Sequence, residues 1–197
     1  MMKKTGISAL FIMLIMGLGT QQIYAQKKQK EMKLMKVNYE IEVNVSPQKA
    51  WEVLASYGDV GSYHSGIKSS ESVNGSGNIA ELGCDRVCYL EDGKRKITVK
   101  EKIIDIKDGE HYTYEVYDWV NFPLKKMQNT FGVKTVNGKT VIYQTIRYRL
   151  KPRIMTWPMK GKMRNSAYEA LIAYKHYMET GEKNVSMDVL KKKYKKV

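Results

Sequence analysis

The chain has 197 residues and a formal charge of +14, from 34 lysine and arginine against 20 aspartate and glutamate side chains, with 43% hydrophobic residues. The apolar content is ordinary for a globular protein and allows one domain with its own core, whereas the charge is not ordinary. The basic balance points to anionic lipid or polysaccharide and away from nucleic acid, for which the chain has no recognised binding motif.

The chain opens MMKKTGISALFIMLIMGLGTQQIYAQ, with Lys3 and Lys4 ahead of an apolar run from Ile7 to about Leu18. This three-part pattern predicts a secretory signal peptide over residues 1–25, and the run is too short for a transmembrane span of about 20 residues. The mature protein is therefore expected to be periplasmic or secreted. A basic segment follows at 26–35, and a second basic run, LKKKYKKV, closes the chain within a predicted C-terminal tail at 182–197. Such runs are either solvated tails or contacts with an anionic membrane surface.

From Lys36 to Val45 apolar and polar residues alternate, which predicts a half-buried strand. Ser46 and Pro47 supply an N-cap and a first helical residue for the short helix PQKAWEVLASY. Gly58, Gly61 and Gly66 leave room for only a brief helical piece near Asp59–Tyr63. Strands are predicted at Ile67–Val73, Ala80–Leu90, Lys94–Ile106, Glu110–Trp119, Leu124–Val136 and Lys139–Lys151. Asp92-Gly93, Asp108-Gly109 and Asn137-Gly138 separate them as hairpin turns. After Trp157-Pro158, Met163, Ala167, Ala170, Leu171, Tyr174 and Met178 recur at helical spacing up to a stop at Thr180-Gly181.

Strand, two short helices, about six strands and one long helix make an α+β chain whose domain spans 36–181. SPQKAWEVLASYGDVGSYH after the opening strand, GCDR with EDGKRKITVKEKI, YTYEV and the closing helix carry a resemblance to the START-like (SRPBCC) superfamily. The chain is similar to its polyketide cyclase/dehydrase and lipid-transport branch, with the helix-grip fold of the birch pollen allergen. The resemblance implies a curved antiparallel sheet of about seven strands around the long helix, with a ligand cavity between them. The chain departs from many relatives at Tyr63-His64-Ser65-Gly66, where they carry Trp and a proline-containing turn.

Cys84 and Cys88 share one face of a strand but sit four residues apart, about 13 Å between Cα atoms, against the roughly 4.4–6.8 Å of a disulfide. No metal or cofactor set appears at ligating spacing, so the sequence implies neither. With Asp92-Gly93 as a two-residue turn, Arg86 faces Val99 and lies diagonal to Glu101, both on the inward face with Leu82, Cys84, Cys88 and Leu90. An inward arginine and glutamate make either a buried salt bridge or a polar anchor for a ligand head group.

Other inward positions carry polar groups among apolar ones. They are Tyr112, Tyr114 and Asp118 on one strand, Asn129 beside Phe131 on the next, and Gln144 and Tyr148 on the last. Met163 and Tyr174 of the helix would close the lid, and His64 sits in the glycine-flanked loop at the predicted mouth. The segments Gly58–Gly66 and Trp119-Val120-Asn121-Phe122-Pro123 would gate access. The leading expectation is a carrier of a small hydrophobic or amphipathic ligand, lipid-like or aromatic, in the cell envelope. The alternatives are a cyclase- or dehydratase-like enzyme using Glu101, Arg86, Tyr112 and His64, and a basic envelope-surface protein without an active cavity.

Overall fold

The structure is a computed structural model that describes residues 32–64 and 66–195. The predicted signal peptide and most of the segment 26–35 lie outside the described residues. Seven strands are β1 (Met35–Val43), β2 (Ile67–Val73), β3 (Asp85–Asp92), β4 (Arg95–Lys107), β5 (His111–Val120), β6 (Leu124–Val136) and β7 (Lys139–Leu150). They form one antiparallel sheet in the order β1-β7-β6-β5-β4-β3-β2. The long helix α2 (Lys160–Thr180) lies against β1 and β7. This is the α+β helix-grip arrangement that the resemblance implies.

Local chemistry sets the boundaries. The Ser46 side chain accepts the Lys49 N–H at 3.2 Å and Pro47 begins α1 (Pro47–Leu54), leaving Ala50, Trp51, Val53 and Leu54 inside. A 3₁₀ helix, Tyr57–Ser62, follows and docks on β2, where the Gly61 N–H donates to Ser70 Oγ at 2.9 Å. A Cβ on Gly61 would come within 2.9 Å of the Ser70 backbone nitrogen, so this glycine serves close packing and is not a loose hinge. Gly181 ends α2 in the left-handed region with φ 75°, its N–H returning to the Tyr177 carbonyl at 2.8 Å.

The predicted stripe of α2 (Met163, Ala167, Ala170, Leu171, Tyr174, Met178) is buried in the main core. A second face is buried too. The residues read as a basic tail include α3 (Met187–Lys193), which inserts Leu190 against Tyr168, Ile172 and Ala173 of α2. Lys191 bridges to Glu169 at 2.6 Å, and His176 lies between the Tyr194 hydroxyl at 3.1 Å and Glu182 at 2.8 Å. One inserted leucine among lysines gives no periodic signal, which is why the segment reads as a tail.

Three expectations need correction. Ala80–Cys84 is not strand: Gly83 takes φ 85°, and Leu82, expected inward, is 69% exposed. The β3–β4 turn is centred one residue later than Asp92-Gly93. Asp92 pairs with Arg95, and Gly93 (φ 63°) occupies the first central position, so every pair shifts by two. A shift of two keeps each side chain on its predicted face. Asp118 faces solvent and bridges to Lys100 at 3.0 Å, because a bulge between Lys100 and Glu101 breaks the alternation of β5.

Candidate functional site

The register lays the interior out in rows. Arg86 of β3 stands opposite Glu101 of β4, which is opposite Val116, then Met127, then Tyr148. The next row is Ile103, Tyr114, Asn129 and Ile146, and the third is Ile106, Tyr112, Phe131 and Gln144. Period-two alternation thus brings the expected site residues of five strands, β3 to β7, onto one surface.

Arg86 and Glu101 are direct cross-strand partners and not diagonal ones. Nε and Nη2 of Arg86 both reach Glu101 Oε2 at 2.7 Å, and Nη1 donates to the Tyr57 carbonyl. The guanidinium carbon lies 3.9 Å from the centre of the Tyr57 ring and 5.2 Å from that of Tyr114. Burial opposes the charge on Arg86, but the Glu101 carboxylate and its other neighbours outweigh it and hold the group protonated. The pair therefore ties the 3₁₀ segment to the sheet, with every guanidinium nitrogen engaged by protein.

Around it runs a chain of rings. Tyr57 meets Tyr112 with centroids 5.6 Å apart, Tyr112 meets Phe131 at 5.9 Å, Phe131 meets Tyr174 at 5.5 Å, and Tyr174 meets Tyr63 at 5.0 Å. Tyr57 and Tyr63 were not among the expected site residues. They begin and immediately follow the short 3₁₀ helix, whose glycine-rich sequence carries no periodic signal.

Three polar atoms in this interior are buried without a hydrogen-bond partner among the described residues: Tyr57 Oη, Tyr112 Oη and Gln144 Oε1. The Tyr174 hydroxyl interacts with those of Tyr63 and Tyr112, but its contact with Tyr112 falls outside hydrogen-bonding geometry. Gln144 Nε2 donates to Asn129 Oδ1 at 3.3 Å, which leaves its carbonyl oxygen unmatched. Each such atom costs about 1–3 kcal/mol unless something supplies a partner.

The remaining expected residues are tied up by partners or packing of their own. Tyr148 is buried but donates to the Thr156 carbonyl at 2.8 Å, so its hydroxyl fixes the chain beyond β7. Met163 packs in the core. His64 is half-buried, and its Nδ1 accepts the Gly66 N–H at 3.1 Å. Its ring is crowded enough that burial pulls its pKa down to about 4. In the second expected gate, Trp119 and Phe122 are half-buried on the core, and Val120 is exposed.

The protonation states limit the chemistry. Burial holds Tyr57, Tyr63, Tyr112 and Tyr114 well above the usual phenol range, so they stay neutral and offer hydrogen bonds. Burial pushes the Cys88 thiol up to about 12. A general acid or base works best with a pKa near the operating pH, and these groups are displaced from it. Cys84 and Cys88 are both free and buried. In the folded protein at pH 8 an aromatic disulfide reagent is expected to leave Cys88 unmodified, with rapid labelling only after denaturant is added; fast labelling of native Cys88 would contradict its burial. Among the described residues no group of three or more His, Cys, Asp and Glu side chains is placed to hold a metal ion.

A family profile described as polyketide cyclase / dehydrase and lipid transport matches residues 35–174. No curated protein matches the chain in sequence. Among solved structures, Ara h 8.0201 superposes with TM-score 0.61 at 18% identity, covering 74% of this chain and 97% of its own. The Zhui aromatase/cyclase of Streptomyces sp. R1128 gives 0.61 at 12%, covering 74% and 93%. Ginseng major latex-like protein 151 from Panax ginseng gives 0.60 at 13%, covering 75% and 99%. At these identities the likeness is one of fold.

Proposed function

Because the chain belongs to the polyketide cyclase / dehydrase and lipid transport family, we propose that it encloses a small, uncharged, hydrophobic or amphipathic molecule between the sheet and α2. The observation that carries this reading is the set of unpartnered buried atoms, Tyr57 Oη, Tyr112 Oη and Gln144 Oε1, amid aromatic rings. A ligand with an aromatic or alkyl body and a hydroxyl or carbonyl would stack on the rings and complete those hydrogen bonds. Arg86 and Glu101 hold the wall in place and do not grip the ligand. The site is proposed to work in the cell envelope, on the strength of the export pattern in residues 1–25.

Family membership also admits cyclase-like chemistry. Neutral phenols, a neutral imidazole and a protonated thiol favour binding over acid–base catalysis at neutral pH. The test is displacement of an uncharged environment-sensitive dye by a panel of phenols, sterol-like alcohols and fatty alcohols. Saturable displacement by one class is expected. No dye uptake and no displacement by any of them would contradict the reading.

A further inference from the structure

The feature least explained by an interior ligand lies at one end of the sheet. There the β3–β4 turn, the β5–β6 turn and the segment between β7 and α2 come together. Asn121 Nδ2 donates to the Lys96 carbonyl at 2.9 Å, and the Lys151 N–H donates to the Pro123 carbonyl at 2.9 Å. From this end project Ile154, 78% exposed, Trp157, 74% exposed, and the exposed Met155 and Val120. Large apolar side chains grouped in the open are unusual in a surface that meets only water.

The segment that carries them is not loose. Thr156 is buried between the exposed residues. Its Oγ1 accepts the Leu150 N–H at 3.1 Å, and its carbonyl accepts the Tyr148 hydroxyl at 2.8 Å. The Met155 and Thr156 N–H groups close a 3₁₀ turn on Pro152 and Arg153. The apolar side chains are thus held outward by a fixed turn, which lowers the ordering cost of inserting them into a partner.

The surrounding charge is predominantly positive. Between Asp118 and Glu169 the chain contains no aspartate or glutamate. Lys151, Arg153 and Lys160 flank the apolar residues and are exposed. Near this end Glu91 lies in the β3–β4 hairpin beside Lys94, Arg95 and Lys96, and Asp118 is bridged to Lys100 at 3.0 Å. The basic helix α3, by contrast, spends Lys191 on Glu169 and sets Lys193 3.4 Å from His176.

We infer that this end of the sheet docks on an anionic lipid bilayer, with Trp157, Ile154 and Met155 entering the headgroup region and the lysines and arginines meeting lipid phosphates. Tryptophan prefers the boundary between headgroups and acyl chains, and basic residues near a surface add attraction to anionic lipid. The inference stands apart from the interior ligand and does not depend on it.

The test uses the purified full chain with two kinds of vesicle, phosphatidylcholine alone and phosphatidylcholine with a third phosphatidylglycerol. Phosphatidylcholine brominated on its acyl chains serves as the quencher. Trp51 is buried and Trp119 half-buried, so the signal lost in Trp157→Phe isolates Trp157. On anionic vesicles that signal should shift to the blue and be quenched. Ile154→Ser/Trp157→Ser should weaken binding at least about tenfold with the thermal melt unchanged. Lys151→Gln/Arg153→Gln/Lys160→Gln should remove the preference for phosphatidylglycerol. The inference is overturned if Trp157 stays unquenched on bound protein, if the apolar double variant binds like the parent, or if the chain binds soluble polygalacturonate but neither vesicle.

Discussion

Glu101→Ala should destabilise the fold by about 3–5 kcal/mol, because it leaves the Arg86 guanidinium buried with no counter-charge. Arg86→Ala should cost a similar amount, stranding the carboxylate and freeing the Tyr57 carbonyl that Nη1 now serves. Replacing both residues by apolar ones, as Arg86→Met/Glu101→Leu, should recover much of the loss, since neither charge then needs solvating. Urea denaturation of the four proteins measures this directly. A single-variant cost below about 1 kcal/mol would show the pair to be solvated or ligand-facing and not an internal tie.

The second expectation has the opposite sign. Tyr57→Phe and Tyr112→Phe each remove a buried hydroxyl that has no partner, so each should stabilise the unliganded protein by about 1–3 kcal/mol. The ring contacts survive the change, including that of Tyr57 over Arg86 at 3.9 Å. The same substitutions should weaken the ligand, because its hydrogen bonds lose their protein side. Thermal melts and dye displacement on the same samples separate the two effects. Lower stability in both variants would mean that these hydroxyls are satisfied within the fold and do not wait for a ligand.

These outcomes follow from how the sequence encodes its interior. The faces of the strands were legible, because alternation at period two survives an error of two in register. The same alternation puts Arg86 and Glu101 inside, although a turn centred on Asp92-Gly93 makes them diagonal neighbours and not direct partners. Asn137-Gly138 is a turn with both central residues at positive φ, as its sequence announces. Asp92-Gly93 fits two hairpin geometries, and the one adopted keeps Asp92 paired. Asp85 shows the limit of a binary pattern. It sits on the charged outer face yet is 1% exposed, held by Asn74 of the turn after β2, Lys102 of β4 and Tyr117 of β5. Such a cluster is set by tertiary neighbours that no local window contains.

The candidate site was legible by strand and not by loop. Tyr112, Tyr114, Asn129, Phe131, Gln144 and Tyr174 all lie inside as expected, because strand and helix periodicity orient them. Tyr57 begins a six-residue 3₁₀ helix that docks through close glycine contacts and Tyr63 follows directly after it, and only the folded chain brings them to the sheet. In the sequence Trp157 marks only the point after which helical spacing begins, and Ile154 carries no signal of its own. Their exposure is set by Thr156, whose two hydrogen bonds turn that short segment outward.

The central claim is that the interior holds a small uncharged amphiphile at Tyr57, Tyr112 and Gln144. Native mass spectrometry of the protein purified gently from its host tests it most directly. The parent protein should carry a stoichiometric small molecule, lost or much reduced in Tyr57→Phe/Tyr112→Phe while the fold is retained. A parent protein that carries no small molecule and takes up none from a host lipid extract would contradict it.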